Sequence, residues 1–416
     1  MIKYNTDFSK YCIKQHNSNT FDPNYKYLPQ ISANIGDNFG RIVPHDLFTS
    51  FANGLYETMN SRGQKWQEFA LVDTTTDKVT ASARFLIKKT DSTDCSNVVV
   101  SWVNTNKEYQ KQGLMGFLLS QCIRKFEDPD GFQFDNGLSD DSGVAQFVKS
   151  ELTTSDNFWT LYSAVKDYYT RFGFRSFKGG LKIIISPAIP LPTDLATDPT
   201  KFELKPNESF LTSKQAEHKL TDKTYLTKLL STRKPTQKST SLTTPSLNVF
   251  MITNDLSRLT HYNHPNPDNF GFSIKDTKDA ETGRTNETFV IISSFVSGDK
   301  TLLARIYTSV DDLEKLNKHL ERILQFAQWR NENYLVYLPY VKENLKHTSL
   351  MFSANDIFVD SESGKIKADD VVDWFKGKGW THQPDEDQML PMMKKFGKDG
   401  VDEDWEWVYN GLWCFD

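Results

Sequence analysis

The chain has 416 residues, a formal net charge of −5 and a sequence pI near 6.0, with 38% hydrophobic and 25% charged residues. The length exceeds what one core usually holds, and the composition is that of an ordered chain, so two domains are expected and intrinsic disorder is excluded. The mild acidity argues against nucleic acid or an anionic membrane as the main partner, while leaving room for a local basic groove.

The four cysteines, Cys12, Cys95, Cys122 and Cys414, have no zinc-ligand spacing and are too sparse for a disulfide framework. Free thiols in the cytosol are the plain reading, with nuclear entry left open. The first residues are polar and lack a signal peptide's apolar core, and no run of about 18 apolar residues occurs.

Residues 1–40 read as a polar lead-in. Leu47, Phe51, Leu55 and Met59 then recur every four residues, which predicts a helix. Glu68 to Asp73 predicts a strand, 74–78 a turn, and Val79 to Lys89 its hairpin partner. Asn97 to Val103 is a short apolar run of the kind found in a buried central strand. The period changes after Gly113, where Leu114, Phe117, Leu118, Cys122 and Phe126 fall on one helical face. Residues 127–156, rich in Asp and Ser, read mostly as loop. Phe158 to Ser163 predicts a strand, Ala164 to Phe172 a short helix ended by Gly173, and Leu181 to Ser186 another strand.

A Pro- and Thr-rich stretch, 187–200, marks a linker, and 234–246 an exposed loop. The expected domains are therefore 41–190, a connecting segment at 191–247, and a carboxyl-terminal α/β domain at 248–416. The last should contain strands near 248–253, 289–296 and 301–307. A helix follows, with Leu313, Leu316, Leu320, Ile323, Leu324 and Ala327 on one face, and then a strand at 334–339. The order strand, strand, long helix, strand echoes the first half, so a degenerate copy of its fold is one alternative for the second.

The stretch from Asn97 to Leu119 carries the chemistry. A buried strand leads through a polar loop into a helix opened by Gly113. A helix start offers unpaired backbone N–H groups and the positive end of the helix dipole. Gly113 admits an anion closely because it has no Cβ. Such a site suits a pyrophosphate.

Gln110, Lys111, Gln112, Gly113, Leu114 and Met115 resemble motif A of the GNAT acetyltransferases, Arg/Gln-x-x-Gly-x-Gly/Ala. Met115 departs from the usual small residue, although Gly116 follows directly. The segment from Phe158 to Phe174 resembles motif B of the same superfamily, with Tyr169, Gly173 and Phe174 in place of its Tyr-x-x-x-Gly-Phe. The resemblance implies an α/β, mixed-sheet acyl-CoA N-acyltransferase fold that takes acetyl-CoA and needs no metal. It implies that Gln110, Lys111, Gln112, Gly113, Leu114, Met115 and Gly116 form the pyrophosphate loop. It implies that Val103, Asn104 and Thr105 meet the pantetheine arm and that Tyr169 protonates the departing thiolate. The wording KEYQKQG, LYSAVK and YYTRFGF, with the endings QMLPMMKKFG and WEWVYNGLWCFD, is similar to the fungal L-lysine N6-acetyltransferase family from about Glu68 onward. That family places acids where this chain has Arg84 and Ala164.

The residues leave three functions open. One is an N-acetyltransferase acting on a small amine, the lysine ε-amine being what the family resemblance implies. Another is a GNAT-fold scaffold with lost catalysis that binds a protein partner. The last is a protein-lysine acetyltransferase. No general base is evident, since Glu108 should face solvent and Asp140 and Asp141 lie on a polar turn. His261 and His264 lack a third ligand for a metal. Gly377 to Trp380 lacks the glycine spacing of a phosphate loop, and 401–407 should pack tryptophans under a charged rim.

Overall fold

The computed structural model describes residues 6–39, 44–90, 95–135, 141–152, 157–177, 182–185, 202–222, 270–278, 283–294, 300–336, 349–378, 381–382 and 390–397, with isolated positions at 227, 234, 236–238, 402 and 405–407. The first strand, β1 (Tyr11–Asn17), lies in what reads as a polar lead-in, and helix α1 (Leu28–Phe39) follows it. Both form because apolar residues hide among the polar ones. Tyr11 and Ile13 alternate into one core, and Leu28, Ile31 and Ile35 make a helical stripe. Helix α2 (His45–Ser61), β2 (Lys65–Asp73), β3 (Lys78–Lys89), β4 (Ser96–Thr105) and α3 (Leu114–Glu127) agree with the sequence periodicity.

The expected loop at 127–156 contains a helix, α4 (Asp141–Glu151). Val144, Phe147 and Val148 give it a buried face at spacings of three and four. Strand β5 (Phe158–Ser163), a 3-10 helix (Lys166–Phe172) and β6 (Arg175–Ser176) complete this stretch.

The seven-stranded first sheet runs β1-β2-β3-β4-β5-β16-β6, where β16 (Leu390–Lys395) comes from the far end of the chain. Strands β4 and β5 are parallel, and β16 lies antiparallel to both β5 and β6. Met392 is fully buried in the first core, and Lys394 pairs with Glu127 at the end of α3. The expected first domain therefore lacks an inner strand unless residues far outside 41–190 supply it.

The exchange is reciprocal. Strand β7 (Lys182–Ile185) leaves the first half for the second sheet. That sheet also holds β8 (Glu208–Leu211), β10 (Gly271–Lys275), β11 (Glu287–Ser294), β12 (Lys300–Thr308), β13 (Ser349–Ser353), β14 (Ile357–Val359) and β15 (Thr381–His382). Its order, β8-β10-β11-β12-β13-β7-β15, repeats the first sheet position for position. The sense of pairing repeats too, because β12 and β13 are parallel and β7 is antiparallel to β13 and β15. The second half is thus a copy of the first in strand order, each half taking its penultimate strand from the other. A small separate pair joins β9 (Gln237–Lys238) to β17 (Glu406–Trp407).

Helices α5 (Ser213–Thr221), α6 (Leu313–Val336) and α7 (Ala368–Gly377) belong to the second half. Leu316, Leu320, Ile323, Leu324 and Ala327 of α6 are buried, whereas Leu313 is 49% exposed. The strand expected at 334–339 is partly overturned, because 334–336 continue α6 and 337–339 lie outside the described residues. The linker 187–200, the strand expected near 248–253 and most of 234–246 also lie outside them.

The exchange predicts that the two halves unfold together. Met392→Ala should cost about 2–5 kcal/mol through the cavity it leaves, and calorimetry should show the whole chain melting earlier in one transition. Two separate transitions, with the first half unmoved, would contradict this.

Candidate functional site

Strand β4 pairs with β5 only from Asn97 to Val99, yet it continues to Thr105. Beyond Val99 the two parallel strands part and leave a wedge between their carboxyl ends. A second irregularity lies on the other edge. Ser82 stands opposite Asn104 and Arg84 opposite Ser101, so β4 spends three steps where β3 spends two. The extra residue is a β-bulge at Trp102 and Val103. Trp102 has φ 48°, a left-handed conformation that costs a bulky side chain roughly 1–3 kcal/mol.

From the wedge the chain enters a tied loop. The Asn106 side chain accepts from the Glu108 N–H at 2.9 Å and donates to Asn34 Oδ1 of α1 at 2.9 Å. Thr6 donates its hydroxyl to the Gln112 carbonyl at 2.5 Å, and Phe8 stacks on Phe117 at 4.1 Å. Lys111 (φ 64°) and Gly113 (φ 78°) turn the backbone into α3. Gly113 occupies the N-cap position and brings no side chain to cap the helix. The first-turn N–H groups have no intrahelical acceptor, so they remain available to an anion.

The sequence-predicted residues fall around these features. Val103 is half-buried against the α3 side of the sheet. Asn104 is buried, and its amide donates to Ser82 Oγ at 2.7 Å and to the Trp102 carbonyl at 3.3 Å. Its amide thus ties the bulge to β3. The Thr105 carbonyl accepts from Asn38 at 3.2 Å. Gln110 and Lys111 are exposed, Gln112 and Gly113 half-buried, and Leu114, Met115 and Gly116 buried under the helix start. Met115 points into the core cluster, so the departure from a small residue is absorbed by packing.

The 3-10 helix carrying Tyr169 begins three residues after β5 ends, at the end of the sheet where the wedge opens. Tyr169 is 8% exposed and shares the core cluster that contains Leu114 and Met115. Tyr168 meets it edge-on at 5.1 Å. Burial raises the Tyr169 hydroxyl above the ordinary tyrosine value, so it stays protonated at neutral pH and can donate a proton. Gly173 closes this helix at φ 85°.

Glu108 is exposed and ion-paired with Lys78 at 3.1 Å. Asp140, His261 and His264 lie outside the described residues, as does the side chain of Asp141. Ala164 is exposed just after β5. Trp405 is buried against Phe158 with Lys395 over its ring, as expected of a packed tryptophan at a charged rim. Among the described residues no group of three His, Cys, Asp or Glu side chains could hold a metal, and no helix is long and apolar enough to cross a membrane.

Sequence reasoning missed a buried polar cluster on the face of the first sheet covered by α1 and α2. Glu68 and Arg84 are each 1% exposed and joined at 3.1 Å. Tyr56 donates to the same carboxylate oxygen at 2.9 Å. Burial raises the Glu68 carboxyl above its ordinary value, against the pull of Arg84 and the Tyr56 hydrogen bond. Trp66, His16 and Tyr25 continue the cluster as stacked or edge-on rings. The available signal was the lone charge at Arg84 inside an apolar hairpin strand.

Among the described residues the second half shows no matching wedge. Strand β12 pairs with β13 from Lys300 to Leu302, and then with β14 from Ile306 to Thr308. β14 occupies the edge that stays open in the first half. The turn into α6 carries Asp311 and Asp312, whose carboxylates cap Ser361, Ser363 and the Lys315 N–H. An acidic turn repels an anion where the first half would attract one.

No protein-family description matches the sequence, and no curated protein matches it. Among solved structures, a protein of Enterococcus faecalis V583 described as a probable N-acyltransferase is similar at 7% identity and a TM-score of 0.45, over 92% of this chain and 72% of that one. A GCN5-related N-acetyltransferase of Sphaerobacter thermophilus is similar at 9% identity and a TM-score of 0.42, over 95% and 99%. A tandem GNAT protein from the clavulanic acid biosynthesis pathway is similar at 10% identity and a TM-score of 0.42, over 93% and 99%. At these scores the likenesses assign no role to any residue.

His16 gives the buried cluster a pH signature. Its Nε2 accepts from the Asp22 N–H at 3.0 Å, so the ring is neutral, and burial lowers it from 6.5 to about 4. The unfolded chain then binds the extra proton between those values, and stability falls as pH falls from 6.5 towards 4. The slope should reach up to about 1.4 kcal/mol per pH unit. Denaturant titrations across that range should show it, and His16→Gln should flatten it.

Proposed function

We propose that this chain is an acetyl-CoA-dependent N-acetyltransferase whose acceptor is a small primary amine. The observation that carries the reading is the open wedge between β4 and β5, bulged at Trp102 and running into the uncapped start of α3. An extended pantetheine arm fits between diverging parallel strands, and a pyrophosphate fits the first-turn N–H groups at Gly113. The matching place in the second half is closed by β14 and acidic, so one cofactor per chain is expected.

In the proposed reaction the neutral amine attacks the thioester carbonyl in the wedge. A C–N bond forms, and the oxyanion is held by backbone N–H groups at the bulge. The C–S bond then breaks, Tyr169 gives its proton to the departing sulfur, and the amine's proton passes to solvent. Bringing both reactants into one cleft supplies much of the acceleration. The lysine ε-amine is the first acceptor to test, because of the sequence resemblance. Arg84 is buried against Glu68, so the acid that family carries there is not replaced by a reachable one.

Calorimetric titration with acetyl-CoA should give micromolar binding with one site per chain. Gly113→Asp should abolish it, because aspartate tolerates the left-handed turn but puts a carboxylate where phosphate would sit. Unchanged affinity in that variant would remove the pyrophosphate assignment. Tyr169→Phe should lower turnover by about 10²- to 10⁴-fold while leaving acetyl-CoA affinity intact. Equal turnover across the pH range would exclude Tyr169 as the acid.

A further inference from the structure

Trp102 adopts a left-handed backbone without being a glycine, a conformation that persists only where its surroundings hold it. Trp102 and Val103 are the two bulge residues set against Ala83 of β3, and the pairing of β4 with β5 has already ended at Val99. The Arg84 guanidinium carbon lies 4.2 Å from the Trp102 ring centroid and 4.2 Å from that of Tyr56. Arg84 is therefore sandwiched between one ring on α2 and one on the bulge. Its Nε donates to Glu68 Oε2 at 3.1 Å, and Tyr56 donates to the same oxygen at 2.9 Å, which closes the cluster. Glu68, Arg84 and Ser101 are register partners across β2, β3 and β4, so the pair sits in the row beside the bulge.

We propose that Arg84 is a positioning residue for acetyl transfer: clamped by Glu68 and stacked between Tyr56 and Trp102, it keeps the β4 bulge formed and so sets the backbone N–H groups that receive the oxyanion. The inference rests on the transferase reading above. It gives the substitution at this position a physical role, since an acid there could neither stack on Trp102 nor pair with Glu68. A planar guanidinium is suited to both contacts at once, and an ammonium is not. Asn104, which donates to the Trp102 carbonyl, braces the bulge from the other side.

Two measurements separate this role from mere stability. The first is a crystal structure of the double variant Glu68→Gln/Arg84→Met, which removes both charges and leaves neither orphaned. Trp102 should leave positive φ. Its persistence at positive φ in that variant would overturn the proposal. The second is the split between turnover and affinity in Arg84→Met and Trp102→Leu. Each should lower kcat by on the order of a hundredfold, the effect of losing one oxyanion donor, with the acetyl-CoA dissociation constant held within about twofold.

The two losses should not multiply when combined, because they act through one contact. Trp102→Phe, which keeps a ring over the guanidinium, should retain more turnover than Trp102→Leu. Multiplying losses, or a loss confined to acetyl-CoA affinity, would overturn the proposal. A bulge that relaxes in the double variant, in a protein whose wild type transfers no acetyl group, would leave the clamp standing and sink the transferase reading instead.

Discussion

Backbone pairing along two exchanged strands is the constraint on which the rest of the molecule depends. A buried strand must satisfy its N–H and C=O groups, and each sheet here does so with a strand from the other half. Without β16, the inner edges of β5 and β6 would be unpaired, and without β7 the same would hold for β13 and β15. Met392 and the Lys394–Glu127 pair add side-chain contacts to that ladder on the first side. The end of β5, from which the Tyr169 helix starts, is therefore fixed in part by residues more than two hundred positions away.

Once both sheets share one plan, the difference between them becomes informative. In each, the fourth and fifth strands run parallel for three paired residues. In the second half β14 then pairs with the same edge of β12, while in the first half the described pairing of β4 with β5 stops at Val99. A free edge inside a sheet is a liability that folds usually cover. Among the described residues the interruption occurs in the first half alone, beside the glycine-capped helix α3, and it is the feature on which the proposed function rests. The acidic turn at Asp311 and Asp312 makes the opposite electrostatic choice at the matching position.

Local pattern was enough to place α2, β2, β3, β4, α3 and β5, because each buries one clear face. It failed where apolar residues were sparse among polar ones, as in β1, α1 and α4. The helix start at Gly113 and the short helix carrying Tyr169 were legible from local spacing, whereas the roles expected of those residues came from the family resemblance. The Trp102 bulge was not legible, since a bulge is a mismatch of register and exists only between two strands. Glu68 and Arg84 were likewise unreadable as a pair, because sixteen positions of chain separate them and only the β2–β3 register sets them opposite each other.

The sequence by itself determined the periodicity of the elements, the glycine turn into α3 and the aromatic helix after β5, since these follow from side-chain spacing and backbone sterics within a few residues. Tertiary structure alone decided which strand completes which sheet, where the pairing of β4 with β5 stops, and which charge stacks against the bulge. Each of these is a pairing between distant segments, and the pairing energy does not exist until the two surfaces meet.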